Sequence, residues 1–265
     1  MKLNNESKTL FIPLYGKAMM SKNNLFLYDK KAEEIVDSIN YDFTNLKQSR
    51  WLSMYMALRA SIIDEMCNQY MEENSHATIV HLGCGLDSRT CRINQKYHMW
   101  YDIDFESVID LRKHYYQENE RYKMIGKSVT DLSWLQEIDN ASENILIIAE
   151  GLTMYLSEDE MKNLVAGIQK RFGEATLLFD AYSKTAVKAS KYKNPVNKMN
   201  ASVKWGMNRP VDFGKLNEKI EFVQAYPIRR KDTGLKGVTK FIFENVYCGI
   251  LSQPLYKIYK SKLGK

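Results

Sequence analysis

The sequence predicts an α/β fold built on a mainly parallel β-sheet. A short apolar run at residues 79–82 leads into the turn 83–85, Gly-Cys-Gly, and Asp87 and Ser88 then supply side chains that commonly cap helices. Further strand candidates alternate with helical segments along the chain, which is the order that parallel strands and crossover helices require. Residues 144–149 are almost continuously apolar, as expected for a strand with helices on both faces.

The composition is that of an ordinary globular protein. The chain has 265 residues, of which 45% are hydrophobic and 26% are charged, so it is long enough for one large domain with a sizeable core. Its longest apolar runs are far too short to span a bilayer, and polar residues at positions 2–8 stand where a secretory signal needs an apolar stretch. We therefore expect a cytoplasmic protein with no membrane partner.

The cysteines and the charge argue against two further classes of site. The four cysteines show no CxxC pair and the four histidines no HExxH spacing, so we expect reduced thiols and no metal site. The net charge of +6 is spread along the chain, with local concentrations at residues 184–204 and 257–265, which we interpret as solvated surface. No RNA-binding motif accompanies these lysines, so nucleic acid is not an expected partner.

Two helices are predicted before the first strand, at residues 29–39 and 46–71. On the second helix, apolar side chains recur at helical spacing and form one face: Trp51, Tyr55, Leu58, Ile62 and Met66. Arg59 lies one position beyond Leu58. From its position alone, Arg59 is either a surface residue or one partner of an ion pair at the edge of the core.

The glycine turn is the first candidate binding site. Glycines lack a Cβ atom and let a ligand approach the backbone, while the N-terminus of the next helix offers N–H groups to a polar partner. The turn therefore predicts a cradle for a nucleotide or a related cofactor, although a tight turn that binds nothing has the same pattern. A dinucleotide fingerprint needs a third glycine at position 88, where this chain has Ser88.

Two carboxylates follow at the spacing of a ribose-binding acid. Asp102 and Asp104 lie at the end of the strand candidate 99–103, 19 and 21 positions after Gly83. An acid about 20 residues beyond such a turn can accept hydrogen bonds from both ribose hydroxyls. Asp104 is also placed to cap the helix predicted at residues 105–118.

Two more candidates stand at the ends of later strands. Asp131 follows a third strand candidate, residues 122–125, where its carboxylate can accept a hydrogen bond from an adenine amino group or cap the loop. Glu150 ends the fourth strand, at the edge where open α/β sheets bind ligands. A helix with an S-x-x-E capping box, residues 157–172, and a fifth strand, residues 175–180, complete the alternation.

The last third of the chain is less regular. Residues 183–214 are rich in lysine, asparagine and small residues, and we interpret them as a cover over the site or as a loop without a role. Residues 219–226 and 238–247 alternate apolar and polar side chains and are predicted to be two strands. If they pair as a hairpin, the sheet is mixed at that edge.

The motifs, in their order along the chain, resemble a known family. The stretches GCGLDSR, YDIDFESVIDLRK, VTDL and AEGLTMYLSEDEM, with PLYGKA and the pair Arg59 and Asp64, are similar to the leucine carboxyl methyltransferase family. They are most similar to its bacterial branch of small-molecule O-methyltransferases related to polyketide biosynthesis, and the resemblance covers essentially the whole chain. It implies the class I S-adenosyl-L-methionine-dependent methyltransferase fold, a Rossmann-like seven-stranded sheet with a reversed last strand, an N-terminal helical extension and an inserted helical cap.

We therefore expect a single methyltransferase domain with four parts. These are a helical extension at residues 1–74, a cofactor-binding core at 75–182, a cap insertion at 183–215 and C-terminal strands at 216–265. The expected cofactor is S-adenosyl-L-methionine, with S-adenosyl-L-homocysteine as its product.

The resemblance assigns a role to residues in each motif. It places Lys17 and Arg59 at the methionine carboxylate, Gly83 and Gly85 beneath the cofactor, Asp104 at the ribose with Asp102 as the second choice, Asp131 and Leu132 at the adenine, and Glu150 at the methionine end. Cationic groups suit a carboxylate and carboxylates suit ribose hydroxyls, so chemistry and resemblance agree. Lys17 stands where relatives often have arginine. A lysine is a point charge and gives up the bidentate contact that an arginine makes with a carboxylate. Glu150 and Tyr155 are the catalytic candidates.

The implied reaction is methyl transfer to an oxygen. It requires the acceptor oxygen to be held near the methyl group and water to be excluded, with no covalent catalyst. A carboxylate of a small molecule, such as a polyketide-like metabolite, is already nucleophilic at pH 7, whereas a hydroxyl needs a base. The alternatives are a protein C-terminal carboxyl methyltransferase, an NAD-dependent oxidoreductase, and a non-catalytic nucleotide- or partner-binding module of the same fold.

Overall fold

The computed structural model describes residues 7–139, 144–190, 202–230, 232–249 and 252–264, and its centre is one β-sheet of seven strands. In chain order the strands are β1 (Thr78–Leu82), β2 (Met99–Asp104), β3 (Tyr122–Gly126), β4 (Ile145–Ala149), β5 (Ala175–Tyr182), β6 (Ile220–Pro227) and β7 (Tyr256–Leu263). Across the sheet they lie in the order β3-β2-β1-β4-β5-β7-β6. The strands β1 to β5 pair in parallel, while β7 pairs antiparallel with both β5 and β6. The predicted mainly parallel α/β sheet is therefore confirmed.

Helices cover both faces of this sheet. In chain order they are α1 (Phe11–Lys22), α2 (Lys30–Ser38), α3 (Arg50–Glu73), α4 (Arg89–Arg92), α5 (Glu106–Arg112), α6 (Glu158–Phe172), α7 (Lys184–Ser190), α8 (Pro210–Gly214) and α9 (Gly237–Ile242). Short 3-10 helices occupy Ser7–Leu10, Phe43–Leu46, Leu132–Gln136 and Thr153–Tyr155, and a π-helical turn, Phe243–Tyr247, follows α9. None of the described helices is long and apolar enough to cross a membrane.

Side-chain caps fix the starts of the longer helices. Asp29 caps α2 and Ser49 caps α3, each accepting a hydrogen bond from a backbone N–H of the first turn. At α6, Ser157 and Glu160 form the predicted capping box, with hydrogen bonds of 2.7 and 3.2 Å. Gly173 ends that helix with a φ of +76°, a conformation that glycine adopts without strain.

The core lies on both sides of the sheet because strand side chains alternate between its faces. On β1, Ile79 packs into the apolar cluster that contains Leu58 of α3, and Val80 packs into the cluster that contains Val165 of α6. All five residues of β4 are buried, as its unbroken apolar run predicted. The carboxyl ends of these two strands are therefore held rigidly from both faces.

The predicted strand at residues 238–247 is wrong. This segment forms α9 and the π-helical turn, and the ring centroids of Phe243 and Tyr247 are 6.2 Å apart, much closer than four residues of a strand allow. Both rings stack on Trp51 of α3. An alternation of apolar and polar side chains over ten residues also satisfies helical spacing in part. Packing against α3 decides in favour of a helix over a strand.

The last strand is β7, in the segment that we interpreted as a basic surface tail. Its side chains pack on both faces of the sheet, Tyr256 and Ile258 into the cluster that contains Leu58 and Leu263 into the cluster that contains Val165, while Lys262 is exposed. Two antiparallel partners, β5 and β6, then hold it in the sheet. The reversed strand of the sheet is β7 in sequence and lies between its two partners.

Two helix predictions near the glycine turn also need correction. Ser88 makes no capping bond to α4, which is only four residues long, because its hydroxyl donates to the Asp29 carboxylate at 2.5 and 2.6 Å. The helix predicted at residues 105–118 ends at Arg112. Of the predicted cap, residues 191–201 lie outside the described residues, and the rest contains α7 and α8.

Candidate functional site

A crevice opens where β1 and β4 lie side by side. Val80 is paired with Ile147, and the chain continues from β1 to β2 on one side of the sheet and from β4 to β5 on the other. A cavity of about 370 Å³ occupies this crevice at the carboxyl ends of the strands. Its wall brings together residues predicted from distant motifs: Lys17, Arg59, Gly83, Gly85, Asp104, Glu150 and Tyr155.

The glycine turn forms the floor of the cavity. Gly83 and Gly85 both adopt left-handed backbone conformations, with φ of +63° and +52°. A Cβ atom on Gly83 would lie 3.1 Å from Cδ1 of Leu152, and one on Gly85 would lie 3.2 Å from Cβ of Leu10. The turn therefore needs glycine at both positions to keep its shape and its clearance.

Asp104 faces the cavity from the end of β2. Its carboxylate accepts hydrogen bonds from the backbone N–H groups of Gly85 and Phe105, both at 2.8 Å. Burial raises the pKa of Asp104, although these two hydrogen bonds and the nearby charge of Arg112 oppose that effect. The glycine turn thus holds Asp104 in place at the cavity wall.

Asp102 does not line the cavity. Its carboxylate is fully buried and accepts hydrogen bonds from Trp100 Nε1 at 2.9 Å, from Tyr122 Oη at 2.6 Å and from Arg112. Burial alone would raise the pKa of Asp102, but Arg112 and then His81 outweigh it and hold the pKa at about 2. Asp102 therefore fixes β2 through hydrogen bonds inside the protein. Of the two acids, only Asp104 is available to a ligand.

Asp131 and Leu132 also lie off the cavity wall. Asp131 is exposed and accepts a hydrogen bond from the backbone N–H of Ser133 at 3.1 Å, which is the loop-capping alternative. Leu132 packs with the apolar cluster beneath α6. The wall at this end of the cavity is formed instead by residues 128–130 of the same loop.

Arg59 and Glu150 form a buried ion pair at the opposite end. Arg59 Nε donates to Glu150 Oε1 at 2.8 Å, and both side chains are 6% exposed. A second arginine, Arg89, donates to the other carboxylate oxygen of Glu150. Burial opposes ionisation of Glu150, but the charges of Arg59 and Arg89 outweigh it and hold its pKa at about 2. Glu150 is therefore ionised at neutral pH and a weak base.

Lys17 reaches the same wall from α1. Its ammonium group is ion-paired with Asp87, and its side chain is 3% exposed. Arg89 and Arg92 contact the same carboxylate, at 3.0 and 3.1 Å. Burial alone would raise the pKa of Asp87, but these three cations hold it well below its usual value. We call the five side chains Lys17, Arg59, Asp87, Arg89 and Glu150 the ionic wall.

Beyond the ionic wall the cavity becomes apolar and aromatic. Tyr155 lines it, and burial raises the pKa of this phenol, so Tyr155 is neutral and can donate a hydrogen bond. The wall of this end includes Leu52, Met56, Met154, Tyr182, Val203 and Tyr256, and two charged residues, Glu160 and Lys204, also line the cavity. A flat or apolar group can be enclosed here next to the ionic wall.

Sequence reasoning missed three residues of this site. Arg89 belongs to the GLDSR stretch, yet its role as a partner of Asp64, Asp87 and Glu150 follows only from the structure. Asp180 and Tyr256, which contact Arg59, stand in strands whose apolar pattern gave no signal for them. Among the described residues, no cluster of three or more His, Cys, Asp or Glu side chains could hold a metal ion.

The cavity fits the predicted cofactor. The glycine turn provides a surface that side chains would obstruct, and one carboxylate, Asp104, faces it at the place expected for a ribose. At the other end two cations, Lys17 and Arg59, and two carboxylates, Asp87 and Glu150, face the same space. Cations and a carboxylate suit the carboxylate and the ammonium group of an amino acid.

Comparison with known proteins points to one family. Residues 4–169 match the model of the family described as "Leucine carboxyl methyltransferase". The chain is 31% identical over 205 residues to the tetracenomycin polyketide synthesis O-methyltransferase TcmP of Streptomyces glaucescens, which covers 77% of this chain and 76% of that protein. It is 29% identical over 230 residues to the S-adenosyl-L-methionine-dependent methyltransferase dpfgK of Gibberella zeae, which covers 78% of this chain and 77% of that protein.

A solved structure shares the fold. The N-methyltransferase NodS from Bradyrhizobium japonicum, in complex with S-adenosyl-L-homocysteine, matches with a TM-score of 0.52. The match covers 90% of this chain and 98% of that one at 10% identity, so it shows the fold alone.

Proposed function

The chain belongs to the leucine carboxyl methyltransferase family and is an S-adenosyl-L-methionine-dependent methyltransferase with the class I fold, and from this premise we propose that it methylates an oxygen of a small molecule. The observation that carries the proposal is the continuity of the cavity. The wall that suits the cofactor passes directly into the apolar and aromatic end. An acceptor enclosed there lies beside the methionine end of the cofactor, and the relative TcmP is named as an O-methyltransferase of polyketide synthesis.

The cofactor-binding residues are proposed to act as follows. Lys17 and Arg59 hold the methionine carboxylate, and Glu150 accepts hydrogen bonds from the methionine ammonium group. Gly83 and Gly85 provide the backbone surface, and Asp104 binds the ribose hydroxyls. When bound, S-adenosyl-L-methionine supplies the electrophilic methyl group. All these residues line one cavity, which supports their acting on one ligand.

We propose that the adenine lies against the loop at residues 128–132. The cavity wall is formed by residues 128–130 of this loop, while Asp131 caps the turn that follows. Asp131 and Leu132 would then act on the adenine site indirectly, because the cap and the packing that they provide fix the backbone of residues 128–130.

The groups along the cavity favour a carboxylate acceptor over a hydroxyl. Glu150 has a pKa of about 2, so it is a poor base. Both ring nitrogens of His81 have neighbours, since Nδ1 lies 3.3 Å from Asp102 and Nε2 lies 3.4 Å from Arg89. Asp104 is engaged by two backbone N–H groups at the cofactor end. A carboxylate needs no base at pH 7, and Tyr155 can donate a hydrogen bond to one of its oxygens.

The test is a methylation assay with labelled S-adenosyl-L-methionine, two matched sets of acceptors, aromatic carboxylic acids and the corresponding phenols, and a peptide that ends in leucine. We expect labelled product from the acids, and mild hydroxide should release the label as methanol because methyl esters hydrolyse readily. A product that survives hydroxide is an ether, which would identify a hydroxyl acceptor instead. Labelling only of a peptide with a C-terminal leucine would overturn the proposal of a small-molecule acceptor.

A further inference from the structure

The hydroxyl group of Tyr256 joins two charged side chains at the methionine end of the cavity. Tyr256 begins β7 and is 5% exposed. Arg59 Nη1 donates to its oxygen at 2.8 Å, and the hydroxyl donates in turn to Oδ2 of Asp180 at 2.6 Å. The three groups form a chain of hydrogen bonds that runs from the cavity wall into the sheet.

Asp180 is the fixed end of this chain. It lies on β5, is fully buried, and does not line the cavity, so it reaches a ligand only through its neighbours. Its second oxygen accepts a hydrogen bond from the backbone N–H of Gly151 at 2.7 Å. Since Gly151 follows Glu150, one carboxylate holds both the turn that carries Glu150 and, through Tyr256, the guanidinium of Arg59.

These contacts orient the planar guanidinium of Arg59. Nε is held by Glu150, and Nη1 is held by Tyr256 with Asp180 at 3.2 Å. Within the part of the chain that the structure describes, Nη2 makes no hydrogen bond to the protein. It lies beside Gly151, where a Cβ atom would come within 3.4 Å of it and where φ is +69°. The remaining donors of Arg59 are therefore aimed at space that a side chain on residue 151 would fill.

The hydroxyl also keeps the arginine from turning towards the buried carboxylate. Without it, Nη1 of Arg59, which already lies 3.2 Å from Oδ2 of Asp180, can close into a direct, two-pronged ion pair with that carboxylate. Such a rotation would draw Nη2 away from the cavity. A guanidinium fork binds a carboxylate well only when its edge is aligned, because both hydrogen bonds depend on the plane of the group.

We propose that Tyr256, anchored by Asp180, is a positioning residue that holds the Nη2 edge of Arg59 towards the carboxylate of the cofactor. The inference rests on the proposed role of Arg59. Neither Tyr256 nor Asp180 lies within residues 4–169, which match the family model, so the positioning of Arg59 depends on two strands, β5 and β7, that lie beyond the matched region.

The experiment compares two ligands that differ only in the group that Arg59 would bind. S-adenosyl-L-homocysteine carries the amino acid, whereas 5′-methylthioadenosine has the same adenosine thioether without it. Both are titrated by calorimetry into the wild type, Tyr256→Phe, Asp180→Asn and Arg59→Lys. Tyr70→Phe is the matched control, because it removes a buried tyrosine hydroxyl from the same helix as Arg59, where it donates to the Ile145 carbonyl away from the cavity.

We expect Tyr256→Phe to weaken S-adenosyl-L-homocysteine about tenfold and 5′-methylthioadenosine less than about twofold. Asp180→Asn should act in the same direction with a smaller effect. In the double variant with Arg59→Lys, the loss should be less than the sum of the single losses, since both changes disturb one contact. Tyr70→Phe should leave both affinities unchanged.

Two outcomes overturn the inference. Equal losses for both ligands in Tyr256→Phe would mean general damage to the site, and no loss for S-adenosyl-L-homocysteine would mean that Arg59 needs no positioning. The proposed role of Arg59 fails separately, if Arg59→Lys does not distinguish the two ligands. Should Tyr256→Phe fail to fold in a thermal scan, the nearly isosteric Asp180→Asn decides by the same criterion.

Discussion

The two ends of the cavity are built on different principles. The ionic wall consists of five charged side chains from α1, α3, the residue that follows β4 and the segment around α4, and each charge is compensated by a neighbour. The glycine-turn end consists of backbone, with Asp104 as its one carboxylate and residues 128–130 opposite. Removing a side chain should therefore damage the ionic wall, and adding a side chain should damage the glycine-turn end.

The comparison also separates two carboxylates that the sequence made equivalent. Glu150 and Asp104 both end strands at the same edge of the sheet. Arginine charges overcome burial at Glu150 and lower its pKa, whereas burial prevails at Asp104 and raises it. The same functional group, a carboxylate, thus serves a charge network at one end and a ligand-facing position at the other.

The largest effect is expected from Arg89→Leu in the ionic wall. Arg89 is fully buried and contacts three carboxylates, so its loss leaves buried negative charge without a partner. We expect the free energy of unfolding to fall by about 3–5 kcal/mol, measured by urea denaturation. Lys162→Leu, which removes a partner of an exposed ion pair on α6, should change stability little. Equal effects of the two variants would show that the ionic wall does not carry buried charge.

Acid should weaken the ionic wall. The pKa of Glu150 is about 2 in the folded protein against an ordinary 4.5, so the folded state binds its proton less readily. This contribution to stability is fully present above pH 4.5 and is lost as the pH falls towards 2. Glu150→Gln should therefore make the acid loss of stability shallower, by at most about 1.4 kcal/mol per pH unit.

Asp104→Asn should act in the opposite direction. Because the pKa of Asp104 is raised, the folded state binds this proton more readily, and the group favours the folded state as the pH falls. Its removal should make the acid loss of stability steeper. Urea denaturation of both variants from pH 3 to pH 7 measures how steeply each loses stability in acid. If both variants change this slope in the same direction relative to the wild type, the two carboxylates are not in opposite environments.

Adding a side chain should damage the glycine-turn end. Gly83→Ala places a Cβ atom 3.1 Å from Leu152 and at a φ of +63°, so we expect a loss of about 1–2 kcal/mol in stability and weaker binding of S-adenosyl-L-homocysteine. Gly214→Ala is the matched control, because a Cβ atom there meets nothing within 4 Å. If both variants bind the ligand like the wild type, the turn is not the cofactor surface.

The smallest effect is expected from Asp131→Ala. The side chain is exposed and caps the 3-10 helix Leu132–Gln136, away from the cavity wall. Binding of S-adenosyl-L-homocysteine should therefore change by less than about twofold, within the range of an exposed cap. If Asp131→Ala loses as much affinity as an Asp104 variant, Asp131 contacts the adenine directly.

Local signals predicted the glycine-turn end of the cavity better than the ionic wall. Gly83, Gly85 and Asp104 stand at a spacing that depends on one strand, one turn and the next strand, and such short-range geometry is visible in sequence. Asp102 and Asp104 are two residues apart on a strand. Only the positions of Arg112 and Tyr122 decide that the Asp102 carboxylate is bound inside the protein and that Asp104 faces the cavity.

The ionic wall depends on contacts between distant parts of the chain. Arg59 and Glu150 are 91 residues apart, and Arg59 and Tyr256 are 197 residues apart. No local pattern encodes such pairs, and only the family resemblance indicated Lys17 and Arg59. The local pattern did not identify β7 for a related reason: its lysines stand among side chains that are buried on both faces, and pairing with two antiparallel partners fixes its place in the sheet.

The most direct test of the proposed site is calorimetric titration of S-adenosyl-L-homocysteine, with NADH as the control ligand, into the wild type and Asp104→Ala. We predict saturable binding of S-adenosyl-L-homocysteine alone, and binding about tenfold weaker or more in Asp104→Ala, because two ribose hydroxyls lose a charged acceptor. Binding of NADH, or equal affinity of the wild type and the variant, would contradict the account of this cavity.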